Sequence, residues 1–272
     1  MSDTSLSNTP VDKEITLPSK VIVAYRIVQA LLSLALIWKW TYYVASVRLY
    51  GETPIFDSFF PDFFRSNTVL VVAFLAAVVA SGLGVVVGNR RTLIALALIS
   101  FAGLTITCVH QGSYNDMTFV TAWWTALWSL WYVTRLDCDE PERLLSKGAF
   151  LSRAIISVIL LGGAIGKWTS EYWSGEVFYD IYFVDRDYWV FNLIRQNFDA
   201  DVQRVLATWY SRFVIASETM AGFTLWLLPP RIAAVAAMVM LTSIALLSNF
   251  MLFSVLLSLV GLASIGLFVS KK

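Results

Sequence analysis

The chain has 272 residues, of which 58% are hydrophobic and only 14% are charged. A soluble domain of this length cannot bury so much apolar surface, which excludes an ordinary water-soluble protein and predicts an all-α, polytopic membrane protein whose solvent is the lipid bilayer. The net charge of +1 gives no reason to expect nucleic acid or another polyanion as a partner.

The first segment, residues 1–19, is polar, and we expect it to be a disordered N-terminus. One transmembrane domain over residues 20–270 should follow, in which apolar runs are long enough to cross about 30 Å of hydrocarbon. These runs are Val21 to Trp40, Thr68 to Gly88, Thr92 to Val109, Met117 to Thr134, Ala149 to Gly166, Phe213 to Leu228, and Ile232 to Val269. The last run would be about 57 Å long as one straight helix, so it should fold back at Ser248-Asn249 and give about eight spans in all.

Basic residues predict the orientation of these spans. If the N-terminus is cytoplasmic, ten of them lie in cytoplasmic segments, whereas the outer loop between spans three and four has no Lys or Arg. The positive-inside rule therefore places both termini in the cytoplasm and predicts a multi-pass protein of the cell membrane. The basic residues assigned to the cytoplasmic side are Lys13, Lys20, Arg90, Arg91, Arg135, Arg143, Lys147, Arg231, Lys271 and Lys272.

The long connection between spans five and six, Trp168 to Arg212, should lie at the outer surface. It mixes aromatic residues with Asp and Arg, a composition typical of the headgroup layer. Behind the acidic pair Asp199 and Asp201, apolar residues recur at helical spacing and predict an amphipathic helix that leads into span six. These apolar residues are Val202, Val205, Leu206, Trp209, Tyr210 and Phe213.

Signatures of soluble enzymes are absent from the sequence. It has no phosphate-binding glycine loop, no dinucleotide fingerprint and no zinc-ligand spacing, and a single histidine excludes a His-rich haem or metal site. Its two cysteines, Cys108 and Cys138, should lie on opposite faces of the membrane, so no disulfide framework is expected. We therefore expect no metal, and any chemistry must use few groups.

Lys167 is the first candidate, because it follows a membrane-length apolar helix directly. Gly162, Gly163 and Gly166 remove side-chain bulk just before it, so that another helix or a flat ligand could approach the backbone. Lys167 is then either a functional amine held out of bulk water or a lysine that extends to the headgroups, as lysines at helix ends commonly do.

Polar residues around the turn between spans three and four form a second group of candidates, on the same face as Lys167. His110 is the one side chain that titrates near neutral pH without a perturbed environment, and it is either a proton-transfer group or an interfacial histidine. Tyr114 and Asn115 could donate hydrogen bonds to a ligand oxygen. Asn115 and Asp116 could instead cap the helix that follows.

Glu218 lies six residues beyond Arg212, about 9 Å inside span six at helical rise. An ionised carboxylate at that depth is costly and normally has a partner. The candidate partners are Lys167, Lys39 and Arg212. Such a pair could serve chemistry or could be a structural contact between helices.

The stretch Gly163 to Gly175, GAIGKWTSEYWSG, resembles a characteristic stretch of the vitamin K-dependent carboxylase and its bacterial relatives, the horizontally transferred transmembrane (HTTM) family. In that stretch a Gly-containing helix end is followed by Lys, then an aromatic residue, then a Gly eight residues after the Lys, here Lys167, Tyr172 and Gly175. Weaker similarities are Tyr25-Arg26-Ile27, the polar turn before span four, Ser217-Glu218 and an apolar C-terminal hairpin.

This resemblance implies an HTTM-like transmembrane domain with a pocket near the outer leaflet. It implies that Lys167 is the base that deprotonates a reduced naphthoquinone, assisted by His110, and we add Glu218 as the charge partner. Trp168, Tyr172 and Trp173 would form the aromatic wall against a flat ring. The expected partners are the lipid bilayer, a lipophilic ligand such as a quinone or quinol, and a membrane or secreted protein.

Two other interpretations remain open. The small quinone-interacting subunits of the DoxX and MauE type are also similar around a Gly-Lys helix end, which would make the chain a membrane redox subunit. A third interpretation is a non-enzymatic assembly, maturation or immunity factor in which Lys167 and Glu218 form a structural ion pair.

Overall fold

A computed structural model describes residues 19–52, 63, 66–111, 117–185, 187–247 and 253–270. The regular structure of these residues is helical throughout, with no strand among them, which confirms the predicted all-α class. Of the segment 1–19 that we expected to be disordered, only Ser19 is described, and it is the first residue of a helix. The rest of that segment lies outside the described residues.

The α-helices of the described residues are numbered here in chain order. They are α1 (Ser19–Glu52), α2 (Asn67–Val86), α3 (Arg90–Gln111), α4 (Met117–Thr134), α5 (Pro141–Ile165), α6 (Ser170–Ser174), α7 (Glu176–Phe178), α8 (Trp189–Asn197), α9 (Ala200–Leu227), α10 (Pro230–Leu247) and α11 (Phe253–Ser264). A π-helix, Tyr179–Asp185, follows α7, and a 3₁₀-helix, Ile265–Phe268, continues α11.

Four of these helices contain segments long and apolar enough to cross a membrane. The segments are Lys20–Leu49, Asn67–Val86, Arg90–Val109 and Pro141–Ile165, and shorter apolar helices occupy Pro230–Leu246 and Leu256–Phe268.

The outer face of α2 shows why these helices need an apolar environment. Val72, Leu75, Val79, Leu83 and Val86 recur at helical spacing, and each is 45–70% exposed. A continuous stripe of this kind would be unfavourable in water and is normal against lipid. Together with the four membrane-length helices, this stripe supports the prediction of a membrane protein.

Helix boundaries differ from the predicted spans in three places. α1 continues to Glu52, twelve residues beyond Trp40, and α5 begins at Pro141, eight residues before Ala149. Residues 200–227 form the single helix α9, so the predicted amphipathic helix and span six are one element. The physical reason is that hydropathy marks where a chain can cross lipid, whereas a helix ends only where its backbone is broken, and no proline interrupts 200–227.

Hydrogen bonds near the ends of α4 establish how the first helices are arranged. The Tyr132 hydroxyl donates to the Val21 carbonyl at 3.3 Å, which joins the end of α4 to the start of α1. Arg90, at the start of α3, is 2.9 Å from the Asp137 carboxylate just beyond α4. α4 is therefore antiparallel to both α1 and α3, and the ends of α3 and α5 point to the same end of the bundle.

The last two helices form an antiparallel pair. Arg231 Nε, at the start of α10, donates to the Val269 carbonyl at 2.8 Å, beyond the end of α11. At the other end, the Trp189 indole donates to the Leu246 carbonyl at 3.3 Å. The chain therefore reverses between α10 and α11, and the predicted turn at Ser248-Asn249 lies outside the described residues.

α4 lies at the centre of the bundle and is bonded to four neighbours. Its Trp123 and Trp128 indoles donate to Thr105 of α3 at 2.9 Å and to the Gly148 carbonyl of α5 at 3.1 Å. Ser129 accepts from the Gln29 amide of α1 at 2.7 Å, and Thr118 is 3.5 Å from Ser254 of α11.

The hydroxyls of α4 also form a buried row along one face of the helix. Thr121, Thr125 and Ser129 each donate to a carbonyl three or four residues earlier, at 2.8–3.0 Å. Bonding within the helix satisfies these groups where no water is available.

Candidate functional site

The end of α5 places Lys167 at the edge of the bundle. The helix closes with a tight turn in which the Lys167 backbone N–H donates to the Ala164 carbonyl at 2.9 Å. The Lys167 ammonium then folds back, donating to the Gly163 carbonyl at 3.2 Å and to Oε2 of Glu218 on α9 at 2.7 Å. A charge-assisted hydrogen bond of this length is among the stronger polar contacts in proteins.

Glu218 thus has a basic partner, as its depth in the helix predicted, and among the three candidates this partner is Lys167. Arg212 instead places its guanidinium 5.6 Å from the Trp173 ring centre, and Lys39 lies 4.4 Å over the Tyr42 ring. The Lys167 and Glu218 side chains are 24% and 13% exposed. The pair is therefore shielded from bulk water without being sealed from it.

Of the glycines before Lys167, Gly163 is the one that borders the ion pair. A Cβ on Gly163 would lie 3.5 Å from both Lys167 Nζ and Glu218 Oε2, which is ordinary van der Waals contact. A Cβ on Gly162 would meet no atom of the described residues within 4 Å. The absence of a side chain at Gly163 leaves the polar atoms of the pair accessible from that side.

Below the ion pair, α5 and α9 are joined by further polar contacts. The Trp226 indole donates to the Ser157 hydroxyl at 2.7 Å, and this hydroxyl donates to the Gly222 carbonyl at 2.6 Å. Gly222 itself packs closely, because a Cβ there would lie 2.6 Å from Cγ of Leu161. One seam between the two helices therefore carries the ion pair and these hydrogen bonds.

α6 is held against α9 through its backbone carbonyls. Thr208 Oγ1 donates to the Ser174 carbonyl at 2.7 Å, Ser211 donates to that of Tyr172, and Arg212 Nε donates to that of Trp173 at 3.2 Å. The last carbonyls of a helix commonly lack partners within it, and the carbonyls of Trp173 and Ser174 receive theirs from α9, whereas that of Tyr172 also accepts from the Gly175 backbone N–H at 3.1 Å. Their contacts with α6 were not predicted from the sequence, although their spacing places all three on one face of α9.

Gly175 makes this close approach possible. Its φ of 88° lies in the left-handed region that favours glycine, and a Cβ there would lie 2.4 Å from Cα of Thr208. The motif glycine eight residues after Lys167 thus has a direct structural explanation.

The three aromatic residues expected to form one wall belong to two groups. The Trp168 and Trp173 rings are stacked with centres 5.3 Å apart, and the Trp168 indole donates to Thr219 at 3.4 Å. Tyr172 makes an edge contact with Phe178 at 5.8 Å instead. The half-exposed tryptophan pair borders Thr219, which follows Glu218 directly, whereas Tyr172 faces a second aromatic cluster.

This second cluster is the small core of the connection between α5 and α9. Phe183, Phe191 and Ala207 are buried in it. Phe178 lies 5.1 Å from Tyr182 and 5.4 Å from Tyr210, which links α7, the π-helix and α9. The described part of the connection is therefore packed and largely helical.

The carboxylate of Glu171 lies in the first turn of α6, outside the long helices. Hydrogen bonds from its own backbone N–H and from the Thr169 and Ser170 hydroxyls lower the pKa of this carboxyl. Glu171 therefore remains a negative charge beside the start of a short helix.

The remaining candidates lie mostly outside the described residues. His110 is in the last turn of α3, at the same end of the bundle as the end of α5, but its side chain is not described, and Tyr114, Asn115 and Asp116 fall between α3 and α4. Cys108 and Cys138 are both free. In the part of the chain that the structure describes, no three His, Cys, Asp or Glu residues are grouped so as to hold a metal ion.

Comparisons with protein-family models, with curated proteins and with solved structures give no match for this chain. The geometry of the site therefore has to carry the functional inference.

Proposed function

We propose that the chain is an HTTM-like membrane protein of eight spans that binds a quinone-like lipophilic ligand at the Lys167–Glu218 pair, near the outer leaflet. The observation that carries this proposal is the 2.7 Å contact between a lysine at a helix end and an acid within the next long helix, bordered by exposed tryptophans. A paired, partly shielded charge at membrane depth is usually functional.

The eight spans are α1 to α5 and α9 to α11. α10 has 18 residues, about 27 Å, and α11 with its 3₁₀ extension covers 253–268, about 26 Å, so both are close to the hydrocarbon thickness. Arg90, Arg135 and Arg231 lie at the bundle end opposite Lys167, which supports cytoplasmic termini.

A quinol-type ligand would supply an acidic hydroxyl and a flat ring, and the residues present fit both. The Lys167 ammonium has three N–H groups, and two of them are used by Gly163 and Glu218. A third can reach a ligand oxygen, while the stacked faces of Trp168 and Trp173 suit a planar ring.

Proton movement at this site would involve the ion pair. When Glu218 takes a proton from Lys167, the amine becomes neutral and can accept a proton from an acidic hydroxyl. Glu218 would thus set the charge of Lys167, and His110, in the last turn of α3, would pass protons to or from it.

A structural clasp is the second candidate, and one observation favours it. The ion pair is one of several polar contacts along the same α5–α9 seam, where the Trp226 indole and the Ser157 hydroxyl also join the two helices. Under this interpretation the pair fastens two helices of a non-enzymatic assembly or maturation factor. The DoxX-like and MauE-like redox interpretation stays a prediction.

Exchanging the two charges separates a ligand site from a clasp. Lys167→Glu with Glu218→Lys keeps an ion pair across the seam but moves the amine from α5 to α9. If the ion pair is only a structural clasp between α5 and α9, this double variant should be as abundant and as stable as the unmodified protein. A ligand site predicts normal stability but loss of bound quinone, measured by mass spectrometry of lipids that co-purify from native membranes.

Lys20→Met is a matched control, since Lys20 is exposed at the opposite end of the bundle. It should retain the ligand. Absence of any quinone from the unmodified protein would contradict the ligand proposal, and a stoichiometric protein partner in its place would favour the clasp.

A further inference from the structure

A cavity opens at the end of the bundle opposite Lys167. Its volume is 610 Å³, in the range of small-molecule sites. It lies between the end of α4 and the first half of α5. The residues that line it are Trp131, Arg135, Ser146, Lys147, Phe150, Leu151 and Arg153.

One side of the cavity is basic. Arg135 is exposed at its edge, and Lys147 Nζ donates to Oδ1 of Asp139 at 2.8 Å. Arg153 lies deeper, where one of its terminal nitrogens donates to the Leu228 carbonyl at 3.0 Å. Three of the lining residues are thus cations and none of them is acidic, although Lys147 is already paired with Asp139.

Arg153 also has an unused donor. Its Nε is buried and has no hydrogen-bond partner among the described residues. A buried N–H of a charged group without a partner is costly, so the hydrogen-bonding capacity of Arg153 is only partly used by the Leu225 and Leu228 carbonyls.

The other side of the cavity is apolar. Phe150 is 49% exposed and makes an edge contact with Trp226 of α9 at 5.6 Å. Trp131 and Leu151 are partly buried beside the main core. The cavity therefore has a cationic part and an aromatic part, which matches an amphiphile better than a free ion.

The position of the cavity fits the membrane surface. Lys147 and Lys167 are separated by twenty residues along and just beyond α5, about 30 Å at helical rise, which is the thickness of the hydrocarbon core. If one lysine marks the outer interface, the other marks the inner one. Basic pockets between helices at the inner interface bind anionic lipid headgroups.

We propose that this cavity binds an anionic phospholipid, with its phosphate between Arg135, Lys147 and Arg153 and its acyl chains along Phe150 and Trp131. This inference is independent of the proposed ligand at Lys167. Inorganic phosphate shares the headgroup chemistry but cannot use the aromatic side.

The test is native mass spectrometry of the full chain in detergent, with added phosphatidylglycerol or phosphatidylcholine of identical acyl chains, or with inorganic phosphate alone. We expect phosphatidylglycerol to be retained about tenfold more than phosphatidylcholine, and phosphate alone not to be retained. Equal retention of the two lipids would overturn the proposal. Retention of phosphate to the same extent would replace a lipid site with a phosphate site.

Substitutions at the lining residues test whether the phospholipid binds in this cavity. Arg135→Gln with Lys147→Gln should remove the preference for phosphatidylglycerol, and Arg135→Gln alone, at an exposed position that leaves the Lys147–Asp139 contact intact, should weaken it about threefold. Lys20→Gln with Arg91→Gln removes two exposed charges at the same end of the bundle, neither of which lines the cavity. An equal loss in this control would mean general electrostatic attraction and would overturn the site.

Discussion

Gly175 and Thr208 approach so closely that no side chain other than hydrogen fits between them. A Cβ on Gly175 would be 2.4 Å from Cα and 2.6 Å from the backbone nitrogen of Thr208. The turn after α6 is thereby held against α9, and with it Trp173, whose carbonyl accepts from Arg212. The tryptophan pair beside Lys167 depends on this contact.

We therefore predict that Gly175→Ala is strongly destabilising. The left-handed backbone conformation costs roughly 1–2 kcal/mol for a residue with a Cβ, and the overlap with backbone atoms has to be relieved by movement of α6. A loss of about 2–4 kcal/mol is expected, measured by thermal unfolding in detergent.

Gly162→Ala is the matched control. A Cβ there meets no atom of the described residues within 4 Å, so the variant should be neutral or stabilised by about 0.5–1 kcal/mol through helix propensity. Equal stability of the two variants would mean that α6 is not fixed on α9.

The two members of the ion pair should respond unequally to removal. Lys167→Met leaves a carboxylate that is only 13% exposed without its cation, and we expect a loss of about 1–3 kcal/mol after discounting for partial exposure. Glu218→Gln leaves an amide oxygen for the ammonium, so its cost should stay below about 1 kcal/mol.

Combining Lys167→Met with Glu218→Gln should recover part of the loss, because no unpaired charge remains. Chemical or thermal unfolding of the four proteins in a double-mutant cycle gives the coupling between the two residues. Simple additivity of the two single changes would show that the pair contributes nothing to stability.

Ser157 is the next point at which the α5–α9 seam can be tested. Ser157→Ala leaves the Trp226 N–H and the Gly222 carbonyl without the hydroxyl that joins them. We expect a loss of about 1–3 kcal/mol, since an unsatisfied buried group costs that much.

Ser243→Ala is the comparison for this change. The Ser243 hydroxyl only donates to the Val239 carbonyl of its own helix, and its loss should be nearly neutral. A stable Ser157→Ala protein would indicate that the seam is held by apolar packing alone.

Acid should weaken the contact between Asp139 and Lys147. The hydrogen bond from Lys147 lowers the pKa of the Asp139 carboxyl in the folded protein. In the unfolded chain the pKa of an Asp carboxyl is near 4, and in the folded protein the pKa of Asp139 is lower. The ionised carboxylate therefore stabilises the fold at pH values above about 4, and this stabilisation is lost as the pH falls through the pKa of the folded protein.

Asp139→Asn should therefore make thermal stability fall less steeply between about pH 5 and pH 3. The unfolding midpoint at each pH gives the measurement. Unchanged steepness would show that other carboxylates determine the response to acid. Lys147→Gln should have the same effect as Asp139→Asn, because it removes the same hydrogen bond.

The need of Glu218 for a basic partner could be predicted from the sequence, because helical rise puts it about 9 Å beyond Arg212, where an ionised carboxylate in lipid would be costly. Lys167, one of the three candidates, is this partner. The all-α class followed from composition for a similar reason, since lipid allows few ways to satisfy the backbone.

The aromatic wall could not be predicted in the same way. Tyr172 and Trp173 are adjacent in sequence, but in a helical turn neighbouring side chains point about 100° apart. Trp173 therefore meets Trp168, whereas Tyr172 meets Phe178. Only the arrangement of α6 on α9 decides which of the two rings stacks on Trp168.

The burial of α4, which is rich in tryptophan and threonine, is not reflected in its hydropathy. α4 has four tryptophans and is not among the four helices long and apolar enough to cross a membrane, yet its Phe119, Trp128 and Tyr132 are almost completely buried. The indole N–H is satisfied by neighbouring helices, which a scale based on single residues does not register.

The buried row of hydroxyls in α4 affects the order in which the helices can pack together while the chain is being synthesised. Because Thr121, Thr125 and Ser129 already donate within their own helix, α4 has these groups satisfied before it meets any other helix. The Gln29 amide instead donates to Ser129 of another helix, which is synthesised one hundred residues later. The Gln29 amide of α1 would then lack this acceptor until α4 has been synthesised, which favours a late docking of α1 on α4 during biogenesis.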